Sequence, residues 1–158
     1  MLAGLALRLC TLQDADALQH ACYPHAARES VRQMLARTAS AMQHGRGVGL
    51  VACLDDQIVG FGQITFWARV AEIGDLIVAE PQRGRGIGTA LIQHLIALGA
   101  AQRNMIEIGA AGSNPRALAL YQRLGFRLDR TLLLDLGQGL ESVHYLSLHV
   151  LKDPESSL

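Results

Sequence analysis

The segment that most limits what this chain can fold into runs from Glu72 to Thr89: Glu-Ile-Gly-Asp-Leu-Ile-Val-Ala-Glu-Pro-Gln-Arg-Gly-Arg-Gly-Ile-Gly-Thr. Ile73 to Ala79 is a short apolar run of the kind that forms a buried strand, and Glu80-Pro81 breaks it. Gly84, Gly86 and Gly88 then alternate with other residues, with Arg83 and Arg85 beside them. From Thr89 to Ala101, Leu91, Leu95 and Leu98 recur at helical spacing, flanked by Ile92, Ile96 and Gly99. Strand, glycine turn and helix start follow one another without a gap. The unpaired N–H groups of the first helical turn, at the positive end of the helix dipole, therefore gather beside the strand end. Glycine lets the backbone approach a guest closely and adopt positive φ. An anion belongs there, and a diphosphate fits best. The alternative is an ordinary glycine-rich connection with two solvated arginines.

Two phosphate-binding patterns are excluded by spacing. A P-loop requires a lysine directly after its glycines, and none follows here. The dinucleotide fingerprint Gly-x-Gly-x-x-Gly has its third glycine one position later than Gly88, and it opens a βαβ unit. Here two strand-like runs joined as a hairpin come first.

Arg83-Gly84-Arg85-Gly86-Ile87-Gly88 resembles the Arg/Gln-x-x-Gly-x-Gly/Ala signature of the Gcn5-related N-acetyltransferase (GNAT) superfamily, whose loop cradles the pyrophosphate of acetyl-CoA. Leu76-x-Val78-x-x-Pro81-x-Arg83 before it, and Asn114-Pro115 through Tyr121-x-x-x-Gly125-Phe126 after it, are similar to the same family in the same order. The likeness covers roughly residues 5 to 150. It implies an α/β (α+β) fold: a central mixed, mostly antiparallel sheet of about seven strands flanked by about four helices, with a parallel strand pair at the cofactor site. It also implies one domain over residues 1–158, with acetyl-CoA as co-substrate and no metal. The expected activity is transfer of acetyl to a primary amine of a small molecule or peptide, by direct attack in a ternary complex.

The resemblance further assigns roles. The amides of Leu76, Ile77 and Val78 match the strand that pairs with pantetheine, and Gly84, Gly86, Ile87, Gly88 and Thr89 match the diphosphate loop. At least one of Arg83 and Arg85 is expected to meet a phosphate or ribose-phosphate, the alternative being two solvated charges. Asn114 matches a position that contacts the pantetheine or orders the acceptor site, and is equally a helix N-cap; Ala117, one turn on, is expected among the cofactor contacts. Tyr121 matches the tyrosine near the thioester sulfur, the proton donor to the leaving thiolate; its other reading is a core tyrosine between Leu118 and Leu124. In ribosomal-protein N-terminal acetyltransferases a glutamate on the strand after the loop helix is the base, which points to Glu107. Here Ala110-Ala111-Gly112 lengthens the following loop relative to those proteins. Met105, Ile106 and Ile108 around Glu107 imply burial, and desolvation raises a carboxyl pKa toward a useful value. Glu72 and Asp75 on the central strand are rivals, as is a water relay without a single base.

Composition narrows the alternatives. Of 158 residues half are apolar and 18% charged, as in a soluble globular domain. Fourteen basic residues balance fourteen acidic ones, so no general attraction to nucleic acid or membrane is expected. Aromatics at 4% are too few for a base-stacking platform. Cys10, Cys22 and Cys53 read as reduced, buried thiols of a cytoplasmic protein, and the histidines show no metal-ligand spacing. Met1 to Cys10 is too short for a signal peptide. Gly86 to Gln102 lacks charge, yet Gln93 and His94 sit mid-run, which favours a buried helix over a membrane span. A homodimer is left open. So are two other classes: a non-catalytic acyl-CoA sensor and a nucleotide-binding oxidoreductase.

In chain order the expected elements are a strand Ala6–Cys10, a helix from the caps at Thr11–Asp16 to Cys22, and a helix Arg28–His44. Strands Val48–Leu54 and Ile58–Trp67 follow, joined by Asp55-Asp56-Gln57. Beyond the glycine loop come a strand Asn104–Ala110 parallel to the central one, a helix from Asn114-Pro115 to Gly125, and strands Phe126–Leu134 and Ser142–Leu151 around Gly137-Gln138-Gly139. The tail Asp153–Leu158 is expected to fray. The acceptor pocket is expected between Tyr23–Glu29, Trp67 and the last hairpin, with His25, Arg28, Glu29 and Arg69 free to read a charged substrate.

Overall fold

The structure, a computed structural model, describes residues 2–150; the expected frayed tail lies outside them. Its elements are β1 (Leu5–Leu9), α1 (Ala15–Cys22), α2 (Arg28–Gln43), β2 (Gly47–Leu54), β3 (Gln57–Phe66), β4 (Ala71–Val78), α3 (Ile87–Ala100), β5 (Met105–Ala111), α4 (Pro115–Arg123), β6 (Arg127–Asp135) and β7 (Leu140–His149). The strands form one sheet in the order β1-β2-β3-β4-β5-β7-β6. Every neighbouring pair is antiparallel except β4–β5, which is parallel because α3 carries the chain back over the sheet. This is the expected mixed sheet.

Local chemistry explains most element ends. The β2–β3 turn has two residues rather than the expected three, because Gln57 already pairs with Leu54. Asp55 and Asp56 both adopt positive φ (48° and 68°), which such a tight turn demands and Asp tolerates. The helix expected to start from the Thr11–Asp16 caps begins instead with one tight turn, Leu12–Asp14. There the Asp14 carboxylate accepts from the Thr11 amide at 2.8 Å and from the Arg8 guanidinium at 2.8 and 2.9 Å. These bonds hold the Asp14 carboxyl below its ordinary pKa. Gly125, at φ 100°, ends α4 as expected.

Two layers of helix enclose the sheet. On one face, Val31, Leu35 and Thr38 of α2 and Leu18 of α1 are buried over β2 and β3, where Phe61 is fully enclosed. On the other, Ile87, Leu91, Ile92 and Leu95 of α3 are buried against β3, β4 and β5. The uncharged run at Gly86–Gln102 is thus a core helix. Contact there is close: a Cβ on Gly99 would stand 2.7 Å from Ile64 Cδ1. The end of α4 lies on this second face as well, since Gly125 abuts Leu148, which pairs with Ile106, and Ile106 borders Gly99.

The sheet opens at one place. The β4–β5 ladder holds only from Ala71–Ile73 to Ile106–Ile108. On the other side of β4 the register slips. Gly62 alone separates Phe61 from Gln63, while Asp75 and Leu76 separate their partners Ile77 and Gly74. The additional residue is a β-bulge, and Asp75 within it has φ 52°. Beyond Ile73 the two parallel strands part.

Candidate active site

The glycine turn forms as its sequence requires. Gly84 and Gly86 have φ of 77° and 86°, and a Cβ at either would meet nothing within 4 Å. Their need for glycine is conformational, and the space beside them is open. Gly86 is the N-cap of α3, two residues earlier than the periodicity indicated, and the first intrahelical bond runs from Ala90 N to Gly86 O at 3.0 Å. The amides of Ile87, Gly88 and Thr89 are therefore the free donors of the first turn. No side chain caps them and no acidic residue stands in that turn.

These donors border a groove of about 630 Å³. Leu76, Ile77 and Val78 line one wall, with Arg83, Gly84 and Gly86 to Thr89 at one end. The opposite wall is α4, through Asn114, Ala117 and Tyr121. The amide of Ala79 donates to Val59 O at 2.8 Å, toward β3. Strand amides alternate in direction, so the Val78 N–H points into the gap beside β5 while the Ile77 amide turns to β3. Arg83 Nε donates to the Val78 carbonyl at 3.0 Å and ties the turn to the strand end. Arg85 lies outside the groove. It donates to Gln82 Oε1 at 2.5 Å and lines a neighbouring cavity of about 470 Å³ with Leu2 and Leu5. Sequence reasoning missed Gln82, Arg116, Leu120 and Arg123, which also line the groove. The last three recur at i, i+4 and i+7 on the helix of Tyr121, a spacing that could have found them.

A second cavity, of about 250 Å³, fills the gap where β4 and β5 part, between Ile73–Leu76 and Ile108–Ala111. It shares Leu76, Asn114, Ala117 and Tyr121 with the groove, so Tyr121 stands where the two meet. The Tyr121 ring is buried, 6.3 Å from that of Phe126, and burial pushes its phenol pKa up. Among the described residues its hydroxyl has no protein hydrogen-bond partner. Asn114 does cap α4, accepting from Ala117 N at 3.2 Å, with Pro115 at the first helical position.

The three carboxylates differ in what they touch. Glu107 is buried as expected, yet it is not the lone desolvated carboxylate inferred from its neighbours. Arg130 of β6 reaches past β7 to donate to it at 2.7 Å and stacks over Tyr145, 4.5 Å from the ring centre. Glu72, opposite Glu107 in the parallel ladder, accepts from the Trp67 indole at 3.2 Å. Asp75 accepts from Gln63 Nε2 and lines the smaller cavity. At the acceptor end, Glu141 of the last hairpin accepts from the Ser113 amide at 3.1 Å and from its hydroxyl, which lowers the Glu141 carboxyl pKa. Arg28 pairs with Asp16 at 2.8 Å. His25, Glu29, Trp67 and Arg69 line neither cavity. Cys10, Cys22 and Cys53 are free and buried. Among the described residues there is no cluster of three metal-ligating side chains, and no helix is long and apolar enough to cross a membrane.

The Acetyltransferase (GNAT) family model matches residues 12–126. The chain belongs to the GNAT acetyltransferase family. It is similar to an uncharacterized N-acetyltransferase of Methanocaldococcus jannaschii, 38% identical over 84 residues, covering 52% of this chain and 35% of that protein. It is also similar to the mycothiol acetyltransferase of Nocardia farcinica, 29% identical over 122 residues, covering 76% of this chain and 39% of that protein. The match therefore spans well under half the length of these relatives. In fold it resembles RimL, a ribosomal L7/L12 alpha-N-protein acetyltransferase in complex with coenzyme A (TM-score 0.80, 16% identity, 94% and 96% of the two chains). It likewise resembles the Salmonella typhimurium protein yncA with its cofactor acetyl-CoA (TM-score 0.76, 18% identity, 96% of each chain). The sheet, its parted parallel pair and its helices form the GNAT fold, and acyl transfer is the chemistry of the family.

Proposed function

We propose that the chain is an N-acetyltransferase of the cytoplasm that moves the acetyl group of acetyl-CoA to a primary amine of a small molecule or peptide. The observation that carries this reading is the parting of β4 and β5, which turns the Val78 amide into a gap shared by two cavities with Tyr121 at their junction. The fold relatives that hold coenzyme A or acetyl-CoA support the same ligand here.

The residues present fit it. The free amides of Ile87, Gly88 and Thr89 receive the diphosphate, each charge-assisted bond contributing about 1.5–3 kcal/mol. Arg83, Arg116 and Arg123 on the rim add positive charge. The open edge of β4 pairs with the pantetheine amides as another strand would. Acetyl-CoA brings the activated acyl group; the chain aims it. A β4 amide donates to the carbonyl oxygen as negative charge builds there. Tyr121, kept protonated by burial, gives a proton to the departing sulfur. Neither cavity is lined by a cysteine, which supports direct attack by the amine over a covalent acyl-enzyme. Glu107 and Glu72, the base candidates of the sequence, are each engaged by a neighbour.

Calorimetry with free coenzyme A and a thiol-release assay with acetyl-CoA and a panel of primary amines test this. Binding together with amine-dependent release is expected. Binding without release for every amine would favour a sensor, and no binding would overturn the reading.

A further inference from the structure

The two edges of the sheet are built differently. β1 offers five residues, Leu5–Leu9, and its Arg8 is paired with Asp14. β6 offers nine, Arg127–Asp135, and among the described residues no strand lies on its outer side. Every residue of β6 except Leu134 is exposed. Leu128, Leu132 and Leu133 of this strand, with Leu136 and Leu140 of its hairpin, are between 41% and 76% exposed, so the apolar surface of the described residues gathers on one hairpin. A long apolar edge with free N–H and C=O groups is a template for another strand, and soluble proteins blunt such edges or cover them.

Beyond its bulge, β6 is not blunted. Asp129 is the additional residue there, since Leu128 pairs with Leu146 and Arg130 with Tyr145; regular pairing then runs to Asp135. Arg130 is committed inward, donating to Glu107 and stacking over Tyr145, and leaves the edge free. Arg127 and Arg130 balance Asp129 and Asp135, so two copies of the strand do not repel. The order Thr131-Leu132-Leu133-Leu134-Asp135 matches itself when run antiparallel about Leu133. Leu133 then meets Leu133, Leu132 meets Leu134 twice, and the Thr131 hydroxyl stands beside the Asp135 carboxylate twice. Residues an even number apart share a face of the sheet, so each of these pairs lies on one face. Centring between two residues would set opposite faces against each other, and centring on Leu132 would oppose Arg130 to Leu134 and Thr131 to Leu133.

We propose that β6 is a self-recognition edge: two copies of this chain pair antiparallel through Thr131–Asp135, about a two-fold axis at Leu133, and join their sheets into one. Such a contact is isologous and closes, because each copy carries one edge of this kind. A single strand pair lies at the low end of specific interfaces, so association at about micromolar protein is expected. The pairing does not depend on the function proposed above.

Sedimentation of the full chain from about 1 to 200 µM should show a reversible monomer–dimer equilibrium. Leu133→Lys sets two ammonium groups on the axis at a position 67% exposed in the single chain; it should leave the far-UV circular dichroism unchanged and raise the dissociation constant by about a hundredfold or more. Leu133→Cys tests the register. Directly opposed residues of antiparallel strands have Cα atoms about 4.5–5.5 Å apart, inside the span of roughly 4.4–6.8 Å that a disulfide bridges, so mild oxidation should give a covalent dimer. Cys10, Cys22 and Cys53 are buried and do not compete. Leu132→Cys, diagonal to its own counterpart at about 7–8 Å, and the exposed but remote Leu128→Cys should stay uncrosslinked. A wild-type chain that stays monomeric throughout, a Leu133→Lys chain that dimerises as wild type does, or crosslinking through Leu132→Cys or Leu128→Cys in place of Leu133→Cys would each overturn the inference. Growth of the wild-type chain beyond a dimer would mark a contact that does not close, and would overturn it as well.

Discussion

Tyr121→Phe removes a single oxygen from the junction of the two cavities. That hydroxyl bonds to no described protein group, and the ring keeps its contact with Phe126 and its burial at 6% exposure. Stability is therefore expected to stay within about 0.5 kcal/mol of wild type, because no hydrogen bond is broken and no partner is stranded. Turnover is a different matter. A positioned general acid typically contributes about 10²–10⁴-fold. A thiol leaving group, with pKa about 8.5, departs partly unaided, so the lower end applies. A fall in kcat of about tenfold to a hundredfold, or ~1.4–2.7 kcal/mol of barrier, is expected. KM for acetyl-CoA should change little, since the ring still walls the groove and the amides of Ile87 to Thr89 are untouched. The pH dependence has a definite sign. Burial raises the Tyr121 pKa above its ordinary value near ~10, and the proton donor is the neutral phenol. Donation is thus fully present at neutral pH and is lost only as pH climbs past that raised value. Stopped-flow thiol release from pH 6 to 10 is the assay. A kcat within twofold of wild type, or a basic limb below pH 9 that vanishes in Tyr121→Phe, would refute the reasoning.

Other perturbations separate cofactor grip from fold. Gly86→Ala places a side chain at φ 86°, costs about 1–2 kcal/mol, and turns the Ile87–Thr89 amides; calorimetry should show coenzyme A binding weakened by about tenfold. Asp14→Asn breaks the paired bonds from Arg8 and should lower stability at pH 7 by about 1–3 kcal/mol, read by denaturant melts. The Asp14 carboxyl is held below its unfolded value, so its contribution is present above that value, near pH ~3.9, and is lost as pH falls through it toward the folded pKa. The two proteins should therefore converge in stability in acid.

What was legible in the chain was local. The apolar periodicity of α2 and α3, the cap at Asn114-Pro115 and the left-handed glycines each state their conformation within a few residues. Boundaries drifted where distant contacts decide them. β4 begins at Ala71, two residues before the apolar run, because Ala71 packs beneath Gly99 of α3 and pairs with Ile106. α3 starts at Ile87 because Gly86 in the left-handed region can cap it. The candidate site followed the same division. The glycine loop and Tyr121 came from spacing, whereas the pairing of Glu107 with Arg130 depends on β7 lying between β5 and β6, an order no local pattern encodes. Asp75 was named among the candidate carboxylates, but its left-handed backbone and its bond from Gln63 were illegible for the same reason. Its positive φ exists only through the register offset of β4 against β3.

That offset ties the fold to the proposed chemistry. A single additional residue in β4 bends the strand out of its ladder with β5 and also swings Asp75 into the opening. The two effects are separable. Asp75→Gly retains the residue and the positive φ, so the gap should stay open and coenzyme A should bind as in wild type. Deleting residue 75 removes the bulge. The pairing of β4 with β3 then continues without a break, Leu76 opposite Gly62, while Ile77 and Val78 keep Phe61 and Gly60 as partners. Without the bulge β4 no longer bends away from β5, the edge that carries the Val78 amide closes, and coenzyme A affinity should fall by more than about tenfold. Equal coenzyme A binding by the deletion protein would mean that the parting of β4 and β5 does not depend on the bulge, and that strand register and site are not coupled.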